Sequence, residues 1–514
     1  MTSLSIPAVA VVLVLLVIVY ERIVKPAFIS PLAKIPAPHW SCHVAPFWLW
    51  WAKLTHRENR LVYHNHMAKG KALRLSPGLV SVNCFEGGLK QALPWRISQD
   101  RVLLATHNIF TFEDNATHSA RKRIISSTFS KSFILADTTS KASMKKILFG
   151  RLLPMIDGAA KRNEALEVLE LFYSYSMDSF VSWQFGCQLS SNLIEDEKER
   201  RLYLDGFFAA APYTFWQYEF PRLNSWLKLI GLIPKKVDSG FHDIEKWNLE
   251  KCDKAQKLLA QGEDNLSDED KPVVMSLALK AMSKPHAKPG QYPQRLDIAS
   301  DMFAHNSAAH ETSGNTLAFC FYEMSKRPRL QAKLREELLT LDPPLYFPPP
   351  SDKELALPSA KSIDKLPLLE AVILESLRLY PSVPGGQPRR VPKPCSLGGY
   401  DGIPAGTTVQ CYAYSLHRTP EVFPEPGQWK PERWIDSSPE QLSQMRRWFW
   451  AFGSGGRMCI GSNFAYFSMK NVVGSVYTNF TTSLHDHGSM ELEDAYLAGP
   501  VGHRLELKFR RVKE

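Results

Sequence analysis

Cysteine is scarce in this 514-residue chain: there are eight, and none stands in a C-x-x-C pair. Scattered single thiols exclude a disulfide framework and read as reduced, cytosol-facing groups. Low-complexity linkers and internal repeats are missing too, so one large body is a simpler account than the roughly three domains the length would allow. Lys and Arg outnumber Asp and Glu by 62 to 52, yet they form none of the basic runs that nucleic-acid binders carry. No nucleic acid is expected, and the mild excess fits an anionic membrane surface or an acidic protein partner. With 44% apolar and 11% aromatic residues the chain is not disordered and has ample material for a core.

Charge is absent from the seventeen residues Leu4 to Tyr20, which as a helix would span ~26 Å, close to the ~27 Å hydrocarbon of the endoplasmic reticulum. Met1-Thr2-Ser3 has no basic residue and no A-x-A site follows, which favours a retained anchor over a secretory signal. From Glu21 to Arg74 there are nine Lys/Arg against two Glu, which leaves the body in the cytosol. Residues 1–21 are therefore expected to form a single-pass transmembrane anchor and 22–45 a stiff extended connector through Pro31, Pro36 and Pro38. Residues 46–514 are expected to form the body.

The chemistry concentrates near the C-terminal end, in Phe452-Gly453-Ser454-Gly455-Gly456-Arg457-Met458-Cys459-Ile460-Gly461. Four glycines around one cysteine let the backbone pass close to a flat ligand. A largely apolar helical pattern follows Gly461, so Cys459 stands just before a helix start, a placement that favours a thiolate. Arg457, two residues upstream, can meet an anion. A dinucleotide G-x-G-x-x-G beginning at Gly453 would need a glycine where Met458 stands, and the loop has no G-x-S-x-G.

The loop resembles the F-x-x-G-x-R-x-C-x-G signature of the cytochrome P450 monooxygenases at every fixed position: Phe452, Gly455, Arg457, Cys459 and Gly461. The resemblance implies a mainly α fold with a small β-sheet behind an N-terminal transmembrane helix. It also implies haem b, iron protoporphyrin IX, with Cys459 as its axial thiolate and metal ligand. Phe452, Gly453, Arg457 and Gly461 would surround that cofactor.

His118 and Lys122 lie four apart, on one face of an expected helix. In the family a pair of this kind binds a haem propionate; Lys122 replaces the commoner Arg, keeping the charge and losing the bidentate fork. Arg121 and Arg123 would then face outward, toward an acidic partner. His56, His64 and His66 read as polar positions on an amphipathic helix rather than metal ligands. By resemblance, Tyr203 to Phe220 and Trp226 to Ile233 would form a lid over the cavity that touches the membrane; core helices are an equal reading.

Asp297 to Arg327 has no strong breaker before Pro328 and reads as one helix ~45 Å long. Its centre, His305 to Gly314, is polar on every side, which excludes a membrane span and a plain packing role. Ala304, Ala308 and Thr312 repeat every four residues as a groove of small side chains that a planar ligand could approach. Ala308-Ala309-His310-Glu311-Thr312 resembles the family's A/G-G-x-E/D-T, with Ala309 where Gly is commoner. The resemblance implies that Thr312 hydrogen-bonds the bound oxygen and that Glu311 relays protons for cleavage of the oxygen–oxygen bond.

Glu375 and Arg378 form an E-x-x-R pair on one helix face, and Pro431-Glu432-Arg433-Trp434 resembles the family's P-E-R-F segment. Together they imply a buried cluster of Glu375, Arg378 and Arg433 that serves fold and haem retention. Arg389 occupies the position from which the family sends an Arg to a propionate, with Arg390 a competing candidate. Val383, Gly385, Gly386 and the Tyr496 to Pro500 turn are expected to line the cavity.

These resemblances imply a monooxygenase of fungal microsomal type, inserting one atom of O2 into a lipophilic small molecule in secondary metabolism. No nucleotide fingerprint is present, so electrons are expected from a separate NADPH-dependent flavoprotein reductase. The expected location is the endoplasmic reticulum membrane, with the catalytic body cytosolic. A haem-thiolate isomerase or dehydratase, or a non-catalytic haem-binding protein, are the other readings.

Overall fold

The computed structural model describes residues 6–84, 107–282, 295–349 and 355–512. Residues 1–5, part of the expected anchor, lie outside them. The described chain is mainly helical with three small sheets.

The central element is the helix Arg295–Ser325, 31 residues long as its unbroken pattern predicts. It packs most extensively on the helix Val168–Phe185, in which every residue except Glu170 is buried. An all-round buried helix needs apolar neighbours on every side. Gly314 permits the contact: a Cβ there would lie 2.3 Å from Cδ1 of Tyr173. Further along, Phe319 stacks on Tyr380 at 4.1 Å, and Phe321 on Tyr477 at 5.3 Å. Those ring pairs tie the central helix to the ends of the helices Pro367–Leu379 and Ser462–Asn479, which carry the other two motifs.

The four-stranded sheet runs in the order Ala72–Ser76, Leu79–Val82, Thr408–Tyr412, Gly386–Arg390. Its outer pairs are antiparallel and its central pair, Leu79 opposite Thr408, is parallel. A three-stranded sheet joins Ala165–Glu167, Leu505–Arg511 and Phe480–His487, and a hairpin pairs Cys395–Leu397 with Tyr400–Ile403.

At the N-terminal end the helix outruns the charge-free stretch. Ile6–Val19 continues in wider turns as Tyr20–Ile29, so Pro7–Ile29 forms one apolar helix of 23 residues, long enough to cross a membrane. Glu21 and Lys25 pair at 2.7 Å one turn apart, which lets both charges sit on the helix. The extended connector is corrected as well. Pro31–Lys34 and Trp40–His43 are single tight turns, and Leu32 and Ile35 are buried against the sheet. Arg74 donates to the Pro26 carbonyl at 2.8 Å, so the end of the apolar helix is tied to the body. His66 is buried, with Nε2 on Ser81 Oγ and Nδ1 on the Gly70 carbonyl, a structural role. No metal-holding cluster of His, Cys, Asp and Glu occurs among the described residues.

Candidate active site

The cysteine loop is shaped by its backbone. Cys459 N donates to the Phe452 carbonyl at 2.9 Å, and Met458 N to that of Gly455 at 3.0 Å. Gly453 and Gly455 have φ of +66° and +70°, a region where side chains cost strain. At Gly453 a Cβ would also stand 3.0 Å from Gln387 Oε1, which accepts from the Trp450 indole. Phe452 lies against Tyr466 at 5.2 Å, and Gly461 caps the helix Ser462–Asn479.

Cys459 is exposed, yet desolvation by surrounding protein raises its thiol pKa above the ordinary value. Both hold for a sulfur on the wall of a concavity. The amides of Gly461 and Ser462 and the charge of Lys122 oppose the rise without cancelling it. The amides at the helix start thus favour the thiolate as expected, but burial outweighs them. Coordination to a metal ion is what removes such a proton outright.

Four basic side chains converge on this loop. His118 comes from the helix Asn115–Ile125 and is buried; burial first, then the charges of Arg457 and Lys122, push its pKa down to about 4. Burial and the Arg389 charge push Arg457 down to about 10. Arg457 Nη1 donates to the Phe112 carbonyl at 2.7 Å and Nη2 to the Glu113 carbonyl and Asn115 Oδ1 at 3.3 Å, while its Nε is buried with no partner. Cations gathered against one another, with an orphaned N–H among them, call for an anion. A haem, with its propionates and a thiolate ligand, fits that demand.

Two expectations about the basic residues change. Lys122 Nζ donates to the carbonyls of Gly456 and Met458 at 3.0 and 2.7 Å, so it braces the cysteine loop itself. Arg121 does not face outward: it is buried, paired with Asp301 at 2.6 Å and bonded to the Asp297 carbonyl. Arg123 is exposed as expected. Arg389 and Arg390 alternate along their strand; Arg389 is half-buried beside Arg457 and Arg390 points to solvent.

On the central helix, Ala308 is exposed and Ala304 and Thr312 half-buried, so the stripe of small residues lies open. Thr312 Oγ1 donates to the Ala308 carbonyl at 2.8 Å. The Thr312 carbonyl accepts from Ser382 Oγ at 2.8 Å and from Thr316 Oγ1 at 2.9 Å, contacts the sequence did not reveal. Burial, then the charge of Glu493, raises the Glu311 carboxyl to about 7. The polar centre proves partly a packing device. Asn306 bonds Gln184 and Asn248 at 3.0 Å each, and buried His310 sits edge-on to Phe207 at 4.4 Å. The two segments expected to line a cavity touch each other: Ala498 N donates to the Ser382 carbonyl, and Gly385 abuts Ala495 and Tyr496.

The buried cluster forms as expected. Arg378 donates to both Glu375 oxygens at 2.9 and 2.8 Å, and Arg433 Nε to Oε1 at 3.0 Å. Trp434, where the family has Phe, adds an indole N–H to Oε2 at 2.9 Å. His417 was missed, since nothing local marks it. Its Nδ1 bonds the Arg378 carbonyl at 2.9 Å and its Nε2 accepts from Trp450 N at 2.7 Å, joining the cluster to the cysteine loop. Burial drives its pKa down to about 3, so the ring is neutral and can bridge in this way.

A family profile described as "Cytochrome P450" matches residues 99–504. The chain is 26% identical over 522 residues to "Cytochrome P450 monooxygenase hkm5" of Aspergillus hancockii, covering 96% of this chain and 93% of that protein. It is 25% identical over 469 residues to "Cytochrome P450 monooxygenase FUS8" of Gibberella fujikuroi, covering 88% and 83%. In fold it is similar to a crystal structure of a cytochrome P450 (CYP102L1), with a TM-score of 0.68 and 18% identity across 88% of this chain and 94% of that one.

Proposed function

The chain belongs to the cytochrome P450 family, haem-thiolate monooxygenases, and from that premise we propose that Cys459 is the thiolate ligand of a haem b whose propionates meet Arg457, Arg389 and His118. The orphaned Nε of Arg457, amid cations that repel one another, is the observation that carries this assignment. When bound, the haem supplies the oxidising chemistry on O2. The chain's own residues do the rest. Lys122 and the backbone of the cysteine loop hold the sulfur in place, the stripe of Ala304, Ala308 and Thr312 leaves room for the cofactor's flat face, and Thr312 and Glu311 hold and pass protons beside it.

The substrate is a lipophilic small molecule that receives one oxygen atom, in a pathway of secondary metabolism, and the fungal relatives are themselves named monooxygenases. Electrons come from NADPH through a separate flavoprotein reductase, docked by charge on a basic surface that includes exposed Arg123. The deciding experiment is NADPH-dependent, reductase-dependent oxidation by the purified enzyme. Rearrangement of a peroxide without NADPH would favour an isomerase instead.

Thr312→Ala is expected to keep haem binding and the thiolate spectrum, because among the described residues Thr312 Oγ1 bonds within its own helix, to the Ala308 carbonyl. Electrons from NADPH should go to hydrogen peroxide rather than product. Quantifying peroxide against product per NADPH checks this, and unchanged coupling would remove Thr312 from the proton route.

The apolar helix Pro7–Ile29 anchors the enzyme in the endoplasmic reticulum membrane with the body on the cytosolic side. Deleting residues 1–29 should move the protein from the membrane pellet to the supernatant. The exposed Trp226, Leu229 and Leu232 form a second apolar contact that would slow the release, and detergent or high-salt washing separates the two contributions.

A further inference from the structure

The face of the central helix that carries Ala304, Ala308 and Thr312 continues as Thr316, Phe319 and Glu323, at the spacings that keep residues on one side of a helix. Its two halves differ. Ala308 is exposed and Ala304 and Thr312 are half-buried, whereas Thr316, Phe319 and Glu323 are buried. The second half is covered by the short segment that leaves the helix Pro367–Leu379. Tyr380 stacks on Phe319 at 4.1 Å and donates its hydroxyl to Glu323 Oε1 at 2.6 Å. Two residues on, Ser382 Oγ donates to the Thr312 carbonyl at 2.8 Å and lies 3.2 Å from Thr316 Oγ1. Ser382 therefore stands where the docked half of the face ends and the open half begins.

The helix is soft at that boundary. Thr316 Oγ1 donates back to the Thr312 carbonyl at 2.9 Å, and Thr312 Oγ1 donates back to the Ala308 carbonyl at 2.8 Å. Hydroxyls that bond the carbonyl four residues back compete with the helix's own ladder and bend it, and here two such bonds follow in succession. Neither can fix the bend, since both ends of each lie on the same helix. Among the described residues Ser382 is the side chain from outside the helix that bonds Thr312. Ser382 is itself held: it is buried, and its carbonyl accepts from Ala498 N at 3.0 Å. The Ala498 carbonyl in turn accepts from Asn315 Nδ2 at 3.2 Å, and Tyr173 donates to Asn315 Oδ1 at 2.6 Å. The neighbouring Pro384 carbonyl accepts from Tyr414 N at 3.1 Å.

We propose that Ser382 is a positioning residue for the oxygen chemistry: its bond to the Thr312 carbonyl holds the softened turn from Ala308 to Thr316 in one setting, and so sets where the Thr312 hydroxyl stands beside the cofactor. The inference rests on the reading that Thr312 passes protons there. It adds the tether that keeps that residue in place, from a segment 70 positions away in the chain. A proton carrier displaced by a fraction of an ångström loses efficiency, so one hydrogen bond from a rigid neighbour is enough to matter.

The test compares Ser382→Ala, Thr312→Ala and the double variant as full-length haem enzymes. Carbon monoxide on the reduced protein is the first probe, because its C–O stretch in the infrared responds to polar groups beside it. Ser382→Ala should shift or split that band, and should change nothing further once Thr312→Ala has removed the hydroxyl. The second readout is NADPH oxidation driven by a reductase with no substrate added, in which oxygen leaves as hydrogen peroxide or as water. The ratio of peroxide to water should rise roughly two- to tenfold in Ser382→Ala, the range set by the net strength of one hydrogen bond. Again the double variant should match Thr312→Ala. Haem content and the thiolate spectrum should equal the parent's, because the described bonds of Ser382 run to Thr312, Thr316 and Ala498 and not to the cysteine loop. A band unmoved in Ser382→Ala overturns the proposal. So does a peroxide ratio unmoved there while Thr312→Ala raises it, or a change of equal size with and without the Thr312 hydroxyl. If Thr312→Ala leaves the ratio unchanged, the proton-route reading fails instead, and the infrared band still decides whether Ser382 sets the place of Thr312.

Discussion

Cys459→Ala is expected to give a folded protein with no far-red Soret band from carbon monoxide on the reduced enzyme, and NADPH-dependent product at background. The fold should survive because the loop does not depend on the sulfur. Its closure is the backbone bond from Cys459 N to Phe452 O, its shape comes from Gly453 and Gly455, and Lys122 braces it through the Gly456 and Met458 carbonyls. The thiol itself is exposed, so its removal opens no cavity in the core. Only the ligand is lost. The difference spectrum checks this directly; a band that persists after the substitution would move the axial ligand elsewhere. Lys122→Met is the companion case: without the ammonium one stabiliser of the thiolate is gone, and desolvation raises the thiol further.

Local spacing made the strongest parts of the site readable. A cysteine among glycines needs no distant partner to be recognised, because the φ values at Gly453 and Gly455 are demands the loop makes on its own residues. The central helix was readable for the same reason: an unbroken run ending at Pro328 depends on neighbouring residues alone. What stayed hidden is set by pairs far apart in the chain. Arg121 looked like a surface residue, yet its partner Asp301 is 180 positions away, and burial against it turns the side chain inward. Lys122 finds carbonyls more than 330 residues on. The polar centre of the central helix was read as excluding a plain packing role, but Asn306 and His310 turn to Gln184, Asn248 and an aromatic nest, while Ala308 stays exposed and Glu311 and Thr312 half-buried. The apolar helix runs to Ile29 because Glu21 and Lys25 neutralise each other one turn apart, an outcome a count of uncharged residues does not anticipate.

The second large effect is expected at Glu375. Its carboxylate is fully buried and accepts from Arg378 twice, from Arg433 Nε, from Trp434 Nε1 and from Lys430 N, all within 3.0 Å. Glu375→Ala leaves the buried guanidiniums of Arg378 and Arg433 without their anion and two further N–H groups without an acceptor. Breaking a buried pair from one side costs ~3 to 5 kcal/mol, against a total stability on the order of 5 to 15 kcal/mol for a folded protein. The variant should therefore accumulate poorly and unfold at much lower urea. Glu375→Gln keeps the shape and some acceptors, and should fall between. The damage should reach the haem as well. The Arg378 carbonyl holds His417, His417 receives Trp450 N, and Trp450 meets Gln387 beneath Gly453, so the cluster and the cysteine loop are one bonded structure. Haem content per protein in the folded fraction separates this route from simple loss of stability. If Glu375→Gln folds yet releases haem, the chain through His417 carries the effect; if it folds and retains haem, the cluster serves stability alone.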